Sequence, residues 1–229
     1  MNQPTPAGTS TPRAQEVLDF WFGREDPLSP SQFPGRLHLW FGGDDPPDVV
    51  AERDATIARR FRPHIDEAAA GALDHWAGSP NRLLALVLLL DQFPRHVFRG
   101  RARAYGQDHR AMTFALHGLA TGADGALTLA QRLFLYLPLQ HAESASMQEE
   151  SIAAYRRLRD DAPPQRREFF ESVLQFAQQH REVIQRFGRF PHRNAALSRS
   201  STPEELEFLQ GAQDAQKKAP QTERAAALR

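Results

Sequence analysis

Eight consecutive apolar residues, Leu83 to Leu90, constrain this chain more than any other feature. Ser79-Pro80 opens a helix before them and Asp91-Gln92 closes the run. A helix that is apolar nearly all round has no face to give to water, so it belongs at the centre of a domain, wrapped by other elements. The run is also far below the roughly 20 residues that a membrane span requires. Its surroundings should therefore be the rest of this chain.

The wrapping elements read as helices. Thr11 before Pro12 caps a segment carrying Val17, Leu18, Trp21 and Phe22 on one side, which should stop at Gly23. A Pro- and Gly-rich loop then leads through Trp40 and Phe41 to the start signal Asp44-Asp45-Pro46-Pro47. Beyond it Val50, Asp54, Ile57 and Phe61 form an amphipathic stripe, with Asp54 as the anchor of a polar network and Pro63 kinking or restarting the helix. Asp108 is placed to cap a segment ending near Gly122, and the segment from Pro163 to Phe187 repeats apolar residues at helical spacing up to Gly188. Thr128 with Gln131, Ser146 with Glu149 and Thr202 with Glu205 are capping-box patterns. No sustained period-two alternation and no Asn-Gly or Asp-Gly hairpin turn occurs. The expectation is a single all-α domain over residues 12–210, with about eight to ten helices and mobile tails at 1–11 and 211–229.

Composition removes several classes of function. The 28 basic and 28 acidic residues cancel, so no overall field favours nucleic acid or acidic membranes. The absence of cysteine excludes thiolate metal sites, disulfides and cysteine nucleophiles. The first ten residues lack a basic-then-apolar signal pattern, which points to the cytoplasm. No HExxH, glycine-rich phosphate loop or Gly-x-Ser-x-Gly elbow is present, so neither a metal nor a cofactor is expected.

The candidate chemistry lies in four clusters. Asp91 and Gln92 with Arg95 and Arg99 stand at the C-terminal end of the apolar helix, where a carboxylate opposes the helix dipole and needs a cation. Arg132, Gln140, His141 and Glu143 accompany Pro138, which bends a helix where a cavity can be lined. His180 shares an inward face with Ala177 and Ile184. Arg189, His192, Arg193 and Asn194 crowd around Pro191 at a second helix end. Because His141 and Glu143 point about 200 degrees apart on a regular helix, they share a site only if Pro138 distorts the turn.

Taken together, the stretches Leu18 to Phe22, Leu89 to Arg95, Tyr136 to His141, Arg186 to Asn194, Arg199 and Ser201 to Glu205 resemble the bacterial family called domain of unknown function 924. The resemblance runs from about Val17 to Leu209 and implies a tetratricopeptide-like, right-handed array of antiparallel helix pairs, with no activity attached. The chain departs from that pattern at His96 (asparagine expected), Ala142 (serine) and Ser198 (glycine), and the lost serine weakens any hydrolase built on that position.

Arginine forks with directional histidine and asparagine partners favour an anion. The leading expectation is thus a binding module for an anionic small molecule or a carboxylate- or phosphate-bearing partner. Alternatives are a metal-independent hydrolase or lyase using His141 or His192 with Glu143 or Asp91, and a protein-interaction scaffold. A carboxylate-bonded histidine beside an open pocket would favour the enzyme. Separate acidic partners for Arg95, Arg189 and Arg193 would break a single anion site.

Overall fold

The computed structural model describes residues 11–42 and 45–218, so residues 1–10 and 219–229 of the expected tails and Asp44 of the start signal lie outside the described residues. The described chain is all-helical and forms one domain: α1 (Thr11–Phe22), α2 (Phe33–Phe41), α3 (Pro47–Ala69), α4 (Pro80–Leu90), α5 (Gln92–Val97), α6 (Asp108–Ala120), α7 (Leu129–Gln140), α8 (Ala145–Asp161), α9 (Arg167–Phe187) and α10 (Pro203–Lys218). Five 3-10 turns join them, and no strand occurs among the described residues. Residues 211–218 continue α10.

Helix α4 is the axis. Every residue from Leu83 to Leu90 is fully buried, and α1, α3, α6 and α7 pack around it. Burying each such side chain stabilises the fold by roughly 1.5–3 kcal/mol against an exposed reference. Helices α7 and α8 are joined by four residues and α8 and α9 by five, and each pair packs along its length, which requires antiparallel neighbours. That pairing is compatible with tetratricopeptide-like stacking.

Several local expectations change in the folded chain. Trp40 and Phe41 sit on α2 rather than in a loop, because Pro34 starts a helix there and Trp40 is buried with its indole N–H donating to the Trp21 carbonyl at 2.9 Å. Helix α3 runs through Pro63 without restarting. The capping boxes at Thr128 and Thr202 form, but Ser146 lies inside α8, whose first turn starts after Ser144. Asp108 is not a cap either; it is the first residue of α6 and its carboxylate reaches elsewhere. The carbonyls freed at the end of α7 are instead taken by the Gln148 amide, which donates to Gln140 and Ala142 at 2.8 Å each.

Two backbone positions are tight. A Cβ at Gly118 of α6 would sit 3.1 Å from Leu83 and 3.2 Å from Leu135, so this glycine sets how closely α6 approaches α4 and α7. Ser198 holds a left-handed φ of 55° in the turn that delivers Arg199 to Glu143. Gly118→Val is expected to destabilise the protein by about 1–3 kcal/mol in urea unfolding, through overpacking. Ser198→Gly is expected to raise stability in the same assay by up to about 1 kcal/mol, through relief of the left-handed strain.

Candidate functional site

The site begins where α4 runs out. Its last turn delivers Asp91 into the interior with no exposure, and three groups converge on the carboxylate. His141 Nδ1 lies 2.7 Å from Oδ1, the Gln92 amide donates to Oδ2 at 2.5 Å, and Arg95 Nη2 stands 3.3 Å from Oδ1. Burial works against ionisation, but the Arg95 guanidinium and the His141 contacts outweigh it and hold Asp91 well below the usual carboxylate range. His141 is the residue that follows α7; burial pushes its imidazole below its ordinary value despite the pull of Asp91. A neutral imidazole facing an ionised carboxylate must donate from Nδ1, so Nε2 keeps its lone pair.

His141 lines a cavity of about 310 Å³ enclosed by α2, α5, α7, α9 and the turn Pro191–Arg193. One wall is apolar: Phe169, Val173 and Phe176 follow each other at helical spacing on α9 and face Trp40 and Phe41 of α2. A Phe33–Phe169 edge contact at 5.0 Å closes that side. The other wall is polar, with Gln92, Arg95, Gln140, His180, His192 and Arg193. His180 Nδ1 contacts the Phe176 carbonyl at 2.8 Å, one turn back on the same helix.

Two arginines from distant segments share one carboxylate. Arg95 grips Asp108 with both terminal nitrogens at 2.9 Å, and Arg193 Nη1 donates to the same carboxylate at 3.1 Å. The result is an unbroken series, Arg193, Asp108, Arg95, Asp91, His141, both ends of which line the cavity. Arg193 is almost fully buried, its guanidinium stacked between Tyr105 and Phe190 at 4.8 and 4.6 Å. Its Nε is buried with no acceptor, and Nη2 reaches none among the described residues. His192 beside it makes ring contact with Phe190, and no hydrogen bond from the described residues reaches its nitrogens. Burial, then Arg193, depresses the His192 imidazole to about 3, so it is neutral at physiological pH.

Most of the other candidates lie away from this cavity. Arg132 is spent on Tyr136 at 3.1 Å and Asp161 at 2.7 Å, two turns from His141, so the cluster expected around Pro138 divides. Glu143 follows the end of α7, accepts from the Phe190 amide at 2.8 Å and binds Arg199 at 2.6 Å; it does not orient His141. Arg189 pairs with Glu205 at 2.6 Å and Asn194 donates to Glu205 at 3.1 Å, an arrangement that anchors the start of α10. Arg99 lines the rim of the cavity while its guanidinium holds Asp54 at 2.6 Å. Asp54 also meets His96 at 2.8 Å, and although burial opposes ionisation these contacts hold it at about 2. From sequence Asp108 reads only as a helix cap, and Tyr105 and Phe176 carry no signal of the site. Among the described residues no group of three or more metal-ligating side chains occurs, and no helix is long and apolar enough to cross a membrane.

A helical domain with a mostly apolar internal cavity bearing one polar wall is the class that fold and geometry define. The chain belongs to the family described as bacterial protein of unknown function, DUF924, which matches residues 17–213. A solved structure of a protein of unknown function from Agrobacterium tumefaciens is similar, with 35% sequence identity and a TM-score of 0.71 over 88% of this chain and 99% of that one. No curated protein matches.

The buried imidazoles set the acid limb of stability. His192 titrates at 6.5 when unfolded and at about 3 when folded, so between those values the unfolded chain binds the extra proton. Stability is then complete above pH 6.5 and falls as pH drops toward 3, by at most about 1.4 kcal/mol per unit for this group. Urea unfolding of His192→Gln between pH 6 and 4 is expected to show a slope shallower by about one proton. The further loss at lower pH, where Asp54 protonates in the unfolded chain first, should remain.

Proposed function

We propose that the cavity binds a small organic carboxylate carrying an apolar tail. The observation behind this reading is Nη2 of Arg193, a donor that no acceptor among the described residues fills, on a residue that lines the cavity. A buried guanidinium with one hydrogen bond is a costly arrangement unless an acceptor completes it. Arg95 and Arg193 are balanced by Asp91 and Asp108, so the polar wall is formally neutral and better matched to a monoanion than to a phosphate dianion. The wall of Trp40, Phe41, Phe169 and Phe176 would take the tail. Arg189, bound to Glu205, stays outside the proposal.

The carboxylate-held imidazole of His141 favours a second reading, catalysis in the same cavity. The binding reading is tested by titration calorimetry with hexanoate and 4-phenylbutyrate, with hexanol as an uncharged control. Arg193→Gln should weaken carboxylate binding by about tenfold to a hundredfold, the range for a charged hydrogen-bond pair. Arg189→Gln should leave it unchanged while lowering the stability of the C-terminal segment. Equal affinity for hexanoate and hexanol, or unaltered binding in Arg193→Gln, would refute the reading.

A further inference from the structure

We infer that this cavity hydrolyses a neutral ester of an apolar carboxylic acid, with His141 as general base and water as the nucleophile. The inference rests on the carboxylate reading, since that carboxylate would be the acid product. Three features lead to it. His141 Nε2 is an open acceptor on the cavity wall, and its Nδ1 is fixed by the fully buried Asp91 at 2.7 Å. Arg193, whose Nη2 has no acceptor among the described residues, and the neutral His192 beside it line that same wall. The polar wall carries no net formal charge, which suits a substrate that is neutral on arrival and becomes anionic only in the transition state and product.

In the step proposed, a water oxygen attacks the ester carbonyl carbon while His141 Nε2 takes a proton from that water. Negative charge develops on the carbonyl oxygen, where Arg193 donates. The carbon–oxygen bond to the alcohol then breaks, and the departing oxygen takes the proton back from His141. The acid product loses its own proton to solvent, so one ester and one water become a carboxylate, an alcohol and a proton. Asp91 touches no substrate; it is a positioning residue that holds the imidazole in the tautomer with Nε2 free. Ser172 also lines the cavity, so the direct attack of water has to be distinguished from an acyl-enzyme route.

The test is p-nitrophenyl hexanoate hydrolysis by the full chain, run beside hexanoate calorimetry on each variant. His141→Gln should lower kcat by about a hundredfold or more, the scale of a general base, with hexanoate binding retained. Asp91→Asn should lower kcat and leave KM nearly unchanged, a split that loss of packing alone would not produce. Hexanoate should inhibit the wild-type enzyme competitively, and no p-nitrophenol burst or acylated protein should appear. Wild-type turnover no faster than that of His141→Gln, in the presence of normal hexanoate binding, overturns the hydrolase and leaves the binding reading standing. A burst or a covalent acyl adduct in wild-type protein overturns the direct-water step whether or not the variants fold. Failure of wild-type protein to bind hexanoate removes the binding reading itself.

Discussion

The buried carboxylate of Asp91 is the constraint on which the polar half of this protein depends. Taking one ionised carboxylate out of water costs several kcal/mol, and the end of a helix adds the unfavourable sense of its dipole. The compensation comes from three directions: Gln92 next in sequence, Arg95 one turn on, and His141 from the far side of the core. Arg95 in turn must be neutralised, and Asp108 does this while also receiving Arg193. One buried charge thus recruits α5, α6, α7 and the turn after α9. Removing a single member of such a buried set leaves its partner uncompensated, which is more costly than the pair is stabilising.

The aromatic half obeys different rules. Its residues need only shape and exclusion of water, and α2 and α9 supply them. The two halves meet at Gln140 and His180, where the amide nitrogen and the ring lie 3.3 Å apart. A ligand in that space would have one end in a network of fixed charges and the other against rings that carry none. If the proposed binding holds, selectivity for an amphipathic molecule would follow from that division.

Much of this was legible in the chain. A polar pair directly after eight apolar residues marks the place where something charged enters the core, so Asp91, Gln92 and Arg95 stood out, as did the inward side of His180. Asp54 on an apolar stripe announced the network it forms with His96 and Arg99. Asp108 did not stand out, because an aspartate at a helix start reads locally as a cap and its partners lie 13 and 85 residues away. Arg189 and Arg193 looked equivalent from their closeness in sequence. The 3-10 turn between them sends Arg193 inward and leaves Arg189 toward Glu205. Trp40 and Phe41 were obscured by the prolines and glycines around α2.

The single carboxylate shared by Arg95 and Arg193 also bears on how the chain closes. Local helices can form early, since their contacts lie a few residues apart, whereas His141 meets Asp91 across 50 residues and Arg193 meets Asp108 across 85. The core around α4 can therefore gather before the polar wall exists, and during synthesis Asp91 and Arg95 emerge well ahead of His141 and Arg193. His192 and Arg193 are the last of the cavity-lining residues in chain order, so the polar wall can be completed only after every other lining element has been made.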